Sequence, residues 1–492
     1  MVALVKDIRK TQVGGYTLLQ VVTSALLALL IPFCYGGTHA IVVGGGYTLE
    51  SSQGQIEHNV LWLQSLLALN LEHTDFYFGN GEDDTVDVVY WHEGRRNSPL
   101  RNPLADVFGE PDDDWLSYKK HTVTANGGTT RKEHLVPALQ AQFSRTSENN
   151  VLFVYNGHGG YGGYNSDEKN YLKLWGSGEL SVTELRSIFN TLPEKTTARF
   201  VVAQCYSGGF YHLLNESKNV LEKTLHKRCG FMAEAADRES EGCELGVNKD
   251  EFRDYTTYFF SALTQKPRYK ASFSVEPDRN GDGEVSFREA HFYALVAALS
   301  SDLSRATSEV YLEDWQPWYA RWYMGKGEES SEFYALAEQV ARQNAISLNE
   351  SIFSQYEHKN HILSEAVDEQ VSLKRAIKKQ RSSLVEALAV YYPFLSSPYS
   401  SDYIDNIRQQ YANISEAIRS QPAYPILIKS LNERELTHQK ILALKREITQ
   451  LEKVVRLKKL ARLEAAFQRF ASKQARAEYQ SLLACENATL DK

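Results

Sequence analysis

Val151-Leu152-Phe153-Val154-Tyr155-Asn156-Gly157-His158-Gly159-Gly160 and Arg199-Phe200-Val201-Val202-Ala203-Gln204-Cys205-Tyr206-Ser207-Gly208-Gly209 are the stretches that decide the fold. Each is a short continuous apolar run ending in a glycine-rich turn, the pattern of a strand buried on both faces in a parallel sheet. Between them, residues 180–192 carry apolar side chains at helical spacing and open with Ser181-x-x-Glu184, a capping-box signature. Strand, helix, strand is a βαβ crossover, which sets the two strands side by side in parallel. In open α/β sheets the working site lies at the carboxyl ends of the strands. The spacing therefore predicts that His158 and Cys205 share one edge of the sheet.

That pairing points to nucleophilic catalysis. A thiol is mostly protonated at neutral pH, and an adjacent imidazole can take its proton or stabilise the thiolate. Flanking glycines let a substrate backbone approach and leave amide N–H groups for an oxyanion. The expected roles are attack by Cys205, proton transfer by His158, and oxyanion binding by the N–H groups of Gly159 and Cys205. The plainer alternative is a buried structural cysteine beside a loop histidine.

A His-Gly turn followed about fifty residues later by a strand-terminal Cys-x-Ser-Gly resembles the caspase-type cysteine peptidases. Ala235-Ala236-Asp237-Arg238-Glu239-Ser240, with Cys243 after it, is similar to a stretch of the legumain branch. The resemblance covers about residues 40–263, extending at most to residue 320. It implies a caspase-like open, mostly parallel sheet with helices on both faces and an acyl-enzyme (thioester) mechanism. It also implies Glu239, Ser240 and Asp254 as substrate-pocket residues. The branch carries an acidic residue before the histidine, where this chain has Gly157, and a glutamate two before the cysteine, where it has Ala203. The residue preceding the cut is thus left open, and acidic side chains lining the pocket would favour a basic one. Hydrolysis and transpeptidation share the same thioester. A non-catalytic, calcium-braced binding or scaffold protein of the same fold is the competing class.

The second motif is Asp278 to Glu289, which fits a twelve-residue calcium loop. Asp278, Asn280, Asp282, Ser286 and Glu289 supply side-chain oxygens and Glu284 its backbone carbonyl, while Gly283 permits the sharp turn. Ala271 to Val275 before it reads as strand, and residues 290–300 as the exit helix. One such loop points to a structural Ca2+ ion.

The chain has 492 residues, a net charge of −8 and a pI near 6.0, so no basic surface argues for nucleic acid. Lys6, Arg9 and Lys10 precede an apolar run from Leu18 to Cys34, the pattern of an export signal over residues 1–37 and hence of a secreted or periplasmic protein. In that compartment Cys229 and Cys243 either bridge or remain thiols. The glycine turn after the first strand (residues 40–46) does not complete a nucleotide fingerprint, and residues 57–69 read as a helix. Residues 74–130 have loop character, and Asp83, Asp84 and Asp87 read as solvated charge.

The peptidase region is expected over 38–325 and a helical region over 326–492. There Leu373, Ile377, Leu384 and Leu388 form one stripe. Ile404, Ile407, Tyr411, Ile414 and Ile418 form a second, and Ile441, Leu444, Ile448, Leu451 and Val455 a third. Prolines separate them, which predicts an all-α bundle or antiparallel hairpin with coiled-coil-like spacing. Such an arm would bind a protein partner, oligomerise or cover the active site in self-inhibition. Its basic run, 445–462, is read chiefly as a solvated bundle face and more weakly as a membrane-surface contact.

Overall fold

The structure, a computed structural model, describes residues 37–91, 102–109, 116–146, 149–214, 227–241, 254–268, 272–315, 317–318, 328–348 and 350–490. Residues 1–36 of the expected export signal and Cys243 lie outside them. Residues Gly37–Lys492 form one compact unit.

The strands are β1 (Thr38–Gly45), β2 (His73–Phe78), β3 (Val88–Trp91), β4 (Leu116–Lys119), β5 (Asn150–Gly157), β6 (Gly159–Gly160), β7 (Tyr171–Leu174), β8 (Gly178–Ser181), β9 (Thr197–Ala203), β10 (Arg228–Met232) and β11 (Arg305–Ala306). The helices of the same region are α1 (Gly54–Asn70), α2 (Pro103–Phe108), α3 (Lys132–Arg145), α4 (Val182–Phe189), α5 (Tyr255–Leu263), α6 (Phe287–Ala297) and α7 (Thr307–Asp314). Then follow α8 (Glu332–Gln343), α9 (Ile352–Ala389), α10 (Tyr403–Arg419), α11 (Tyr424–Phe470) and α12 (Lys473–Glu486).

The main sheet has the order β11-β10-β9-β5-β1-β2, parallel throughout except for β11. Side chains alternate faces along each strand. Ala40, Val42, Leu152, Val154 and Val201 point to the face covered by α1, α5 and α6. Ile41, Val43, Phe153, Phe200 and Val202 point to the face covered by α3 and α4. Ser181 caps α4 and Glu184 reciprocates, so this crossover begins where its capping box predicts.

Helix α6 is buried along its whole length. Its inner face meets the sheet. Its outer residues Phe292, Leu295 and Val296 pack against α8, α11 and α12. A helix apolar on both sides is one sandwiched between layers.

The helical region is an antiparallel hairpin. Lys359 pairs with Glu447 and Gln380 with Ser430, so α9 and α11 run in opposite directions. Their far ends close over Ile377, Leu384, Leu388, Ile414, Ile418 and Leu427. Val455, placed on the third apolar stripe by its spacing, is 52% exposed, because that stripe rotates off the contact as an α-helix drifts relative to a seven-residue repeat. Leu104 and Val107 of α2 join the same cluster, and Tyr424 donates to the Asp106 carboxylate at 2.7 Å. Part of the supposed loop region 74–130 therefore serves the arm.

Three further expectations change. Residues 272–275 are bends rather than a strand, because Phe273 and Val275 pack against neighbouring cores without a strand partner. Cys229 is bridged, but to Cys485, 256 residues away, since α12 returns to β10. Asp87 is fully buried, held by the backbone N–H of His121 at 2.9 Å and by its ring Nδ1 at 2.6 Å.

Candidate active site

In the β5–β9 ladder Asn156 stands opposite Ala203, so His158 and Cys205, each two residues farther on, leave adjacent strands at the same edge. Gly159 presses against the second turn: a Cβ there would overlap the Cys205 carbonyl oxygen. The bond from Lys173 N to His158 O (2.9 Å) makes Gly159 and Leu172 a non-hydrogen-bonded pair. The N–H of Gly159 is therefore not spent on β7.

The half-buried His158 ring is oriented by the segment that follows β1. Gly45, at φ +113°, turns the chain there. His158 Nε2 lies 2.8 Å from Ser51 O and 2.7 Å from Gln53 Oε1. A carbonyl oxygen only accepts, so the proton sits on Nε2 and Nδ1 carries the lone pair. Burial lowers the pKa of His158, the Lys173 charge adds to this, and the Ser51 carbonyl opposes it. The ring is thus held as a neutral base. Ser51 and Gln53 left no signal in the sequence beyond their place after the first strand's glycine turn.

Cys205 is partly exposed and is not disulfide-bonded. Its Sγ accepts from Ser240 N at 3.3 Å and lies 3.8 Å from Ser240 O. The Ser240 N–H aimed at sulfur supports a thiolate, while the Ser240 carbonyl accepts from the thiol form. The next residue, Tyr206, has φ +60°, an uncommon conformation for a side chain of its size. It is held there by Tyr206 N donating to Arg238 O (2.8 Å) and by its hydroxyl donating to Glu239 (3.0 Å).

The three expected pocket residues separate. Glu239 is engaged with Tyr206. Ser240 contacts the thiol through its backbone, while its hydroxyl donates to Asp302 at 2.9 Å. Asp254 is buried and caps α5, accepting from Thr257 N (2.7 Å) and from Asn59 Nδ2 (2.6 Å). Ser240 and Asp254 both line a crevice with Asn59, Asn156, Gly157 and Ala203, whose volume of about 10 Å³ admits about one water. Asn59 and Asn156 were not singled out by the sequence reading.

The acidic loop wraps tightly. Asp278 accepts from Gly281 N and Gly283 N, Asn280 from Asp282 N, and Asp282 from Glu284 N. Ser286 is the N-cap of α6, and Glu289 returns a bond to it while also accepting from Arg279 N and Asn280 N. Gly283, at φ +90°, makes the sharp turn. Among the described residues, no three His, Cys, Asp or Glu side chains converge in a metal-holding group.

No protein-family model matches the chain, and no curated protein does. Among solved structures it is distantly similar to protein GSU0716 from Geobacter sulfurreducens, at 10% identity and a TM-score of 0.33, over 55% of this chain and 92% of that one. It is also distantly similar to a secreted C11 cysteine protease from Bacteroides thetaiotaomicron, solved with an irreversible peptide inhibitor. There the identity is 11% and the TM-score 0.24, over 46% of this chain and 54% of that one. The match thus spans about half the length of that protease.

Proposed function

We propose that the protein is an exported cysteine endopeptidase of the caspase and legumain type. The observation that carries this reading is the shared register of β5 and β9, with His158 held as an Nε2–H tautomer beside the Cys205 turn. Cys205 Sγ, deprotonated by His158, attacks the scissile carbonyl carbon. The C–S bond forms as the carbonyl pair moves onto oxygen, which is received by the N–H groups of Gly159 and Cys205. The intermediate collapses to a thioester, and the imidazolium returns its proton to the leaving amine. Water, deprotonated by His158, releases the acid and the thiol; an incoming amine in its place gives transpeptidation.

Ser240 and Asp254 belong to the pocket reading, and Glu239 acts through Tyr206. Calcium at the 278–289 loop is part of the same proposal, with Asp278, Asn280, Asp282, Glu284, Ser286 and Glu289 as the oxygen set. It rests on the residue pattern and on the turn at Gly283. The ion would brace the start of α6, which lies against the sheet.

The test is a peptide-library digest with the full protein, with and without calcium, beside Cys205→Ala. Cleavage abolished in the variant supports the peptidase. Its absence from the wild type under every condition leaves the binding-protein class. Calorimetric titration with calcium, compared with Asp278→Ala, tests the loop independently of activity.

A further inference from the structure

The basic run of α11 is divided between two faces: Lys445, Lys459 and Arg462 are exposed, whereas Arg446, Lys453 and Arg456 face the body of the protein. Arg446, Thr449, Gln450, Glu452, Lys453 and Arg456 recur at helical spacing and turn inward. Arg446 pairs with Glu241. Glu452 accepts from Arg238 Nη1 at 2.5 Å, and Thr449 accepts from Arg238 Nη2 at 3.3 Å while donating to Ser301 O at 3.1 Å. Lys453 donates to Ala298 O at 3.1 Å.

These contacts lead to the thiol in two steps. Residues 298–302, gripped by α11, hold segment 238–241: Ser301 N donates to Glu241 (2.7 Å), and Asp302 accepts from Ser240 Oγ and from Glu241 N (2.8 Å). That segment then grips the nucleophile turn twice, through Ser240 N to Cys205 Sγ and through Arg238 O from Tyr206 N. Buried ion pairs add little net stability over an apolar seam. What they do specify is register, because sliding the helix by one residue leaves buried charges unpaired.

We propose that α11 is a positioning strut for the thiol: Arg446, Thr449 and Glu452 hold segment 238–241 so that the Ser240 N–H stays on Cys205 Sγ, and catalysis needs this helix docked. The inference rests on the Cys205–His158 reading and deepens it. The arm is accordingly a working part of the enzyme, and the strut residues act through Ser240 without touching substrate.

The test uses the full chain and iodoacetamide, with alkylation at Cys205 read by peptide mapping across pH. Glu452→Lys sets two cations against each other, whereas Glu452→Gln keeps an acceptor for Arg238. The expected result is that Glu452→Lys reacts roughly tenfold or more slowly, as for small misplacements of reacting groups. Its pH profile moves toward that of an ordinary thiol, Glu452→Gln stays near the wild type in rate and melting temperature, and Glu452→Lys remains folded. If Glu452→Lys does not fold, Thr449→Val removes two bonds without adding charge and is expected to slow the reaction in the same direction.

A folded Glu452→Lys, or in its place Thr449→Val, with the wild-type rate and profile overturns the strut alone. Faster peptide cleavage in either variant also overturns it, since the helix would then restrain the enzyme. A wild-type Cys205 that reacts like a free peptide thiol and ignores His158→Ala overturns the peptidase reading together with the strut.

Discussion

Replacing Cys485 with serine cuts the covalent tie between α12 and β10, the strand beside the one that delivers Cys205. The bridge joins residues 256 apart, and in the chain-entropy account opening a loop of that length frees the unfolded state by about 5.5 kcal/mol at 25 °C. Native bridges commonly deliver less, so the expected loss is about 2–5 kcal/mol. The folded helix keeps its other anchors. Glu486 accepts from Ser308 N at 2.7 Å, from Ser308 Oγ at 2.6 Å and from Thr307 Oγ1 at 2.8 Å, while Arg199 Nε donates to the backbone oxygen of residue 485 at 3.0 Å. Cys485→Ser should therefore remain folded, with α12 docked and the loss taken through the unfolded state. Urea unfolding measures this: the midpoint falls, and reductant brings the wild type down toward the variant. A variant with the wild-type midpoint refutes the reasoning, because the loop closure would then contribute nothing.

Gly159→Ala drives a methyl into the Cys205 carbonyl oxygen, which is backbone and cannot swing aside. Peptide cleavage should fall by about a hundredfold, with much less change in melting temperature; unchanged kcat/KM would show that the two turns do not need their close approach. Gln53→Leu removes one of the two acceptors on His158 Nε2 while Ser51 O remains, so kcat is expected to drop with KM little altered. Burial raises the Glu234 carboxyl to about 8, with the Asp302 charge adding to it. The folded state therefore holds this proton more tightly than the unfolded chain. The stability so gained is present below the ordinary glutamate range and is lost as pH rises through about 8. Glu234→Gln, neutral at every pH, should flatten this fall in a series of melts from pH 4.5 to 9; parallel wild-type and variant profiles would contradict it.

Much of the site's frame was legible because it is local. A buried run ending in glycine, a capping box and a second such run define one crossover, and the crossover alone aligns residues 158 and 205. The helical stripes were read for the same reason, since Ile377, Leu384, Leu388, Ile414 and Ile418 face one cluster at helical spacing. Ser51 and Gln53 were missed because nothing in their own neighbourhood marks them: they meet His158 only when β1 lies beside β5. Asp254 was read as a pocket acid, yet both of its oxygens are occupied, one by its own helix and one by Asn59, 195 residues away. The inward-facing basic residues of α11 were read as solvated because composition does not reveal which partner a charged face meets.

The sequence by itself therefore determined the parallel α/β sheet, the edge at which the thiol and the imidazole emerge, and the helical character of the last third of the chain. These follow from steric periodicity and hydrogen-bonding rules that operate within a few residues. Tertiary structure alone decided the histidine tautomer, the partner of Cys229, the size of the crevice beside the thiol and the docking of α11 against segment 238–241. Each depends on groups far apart in the chain meeting in space, and the energy of such a meeting is not written in either partner alone.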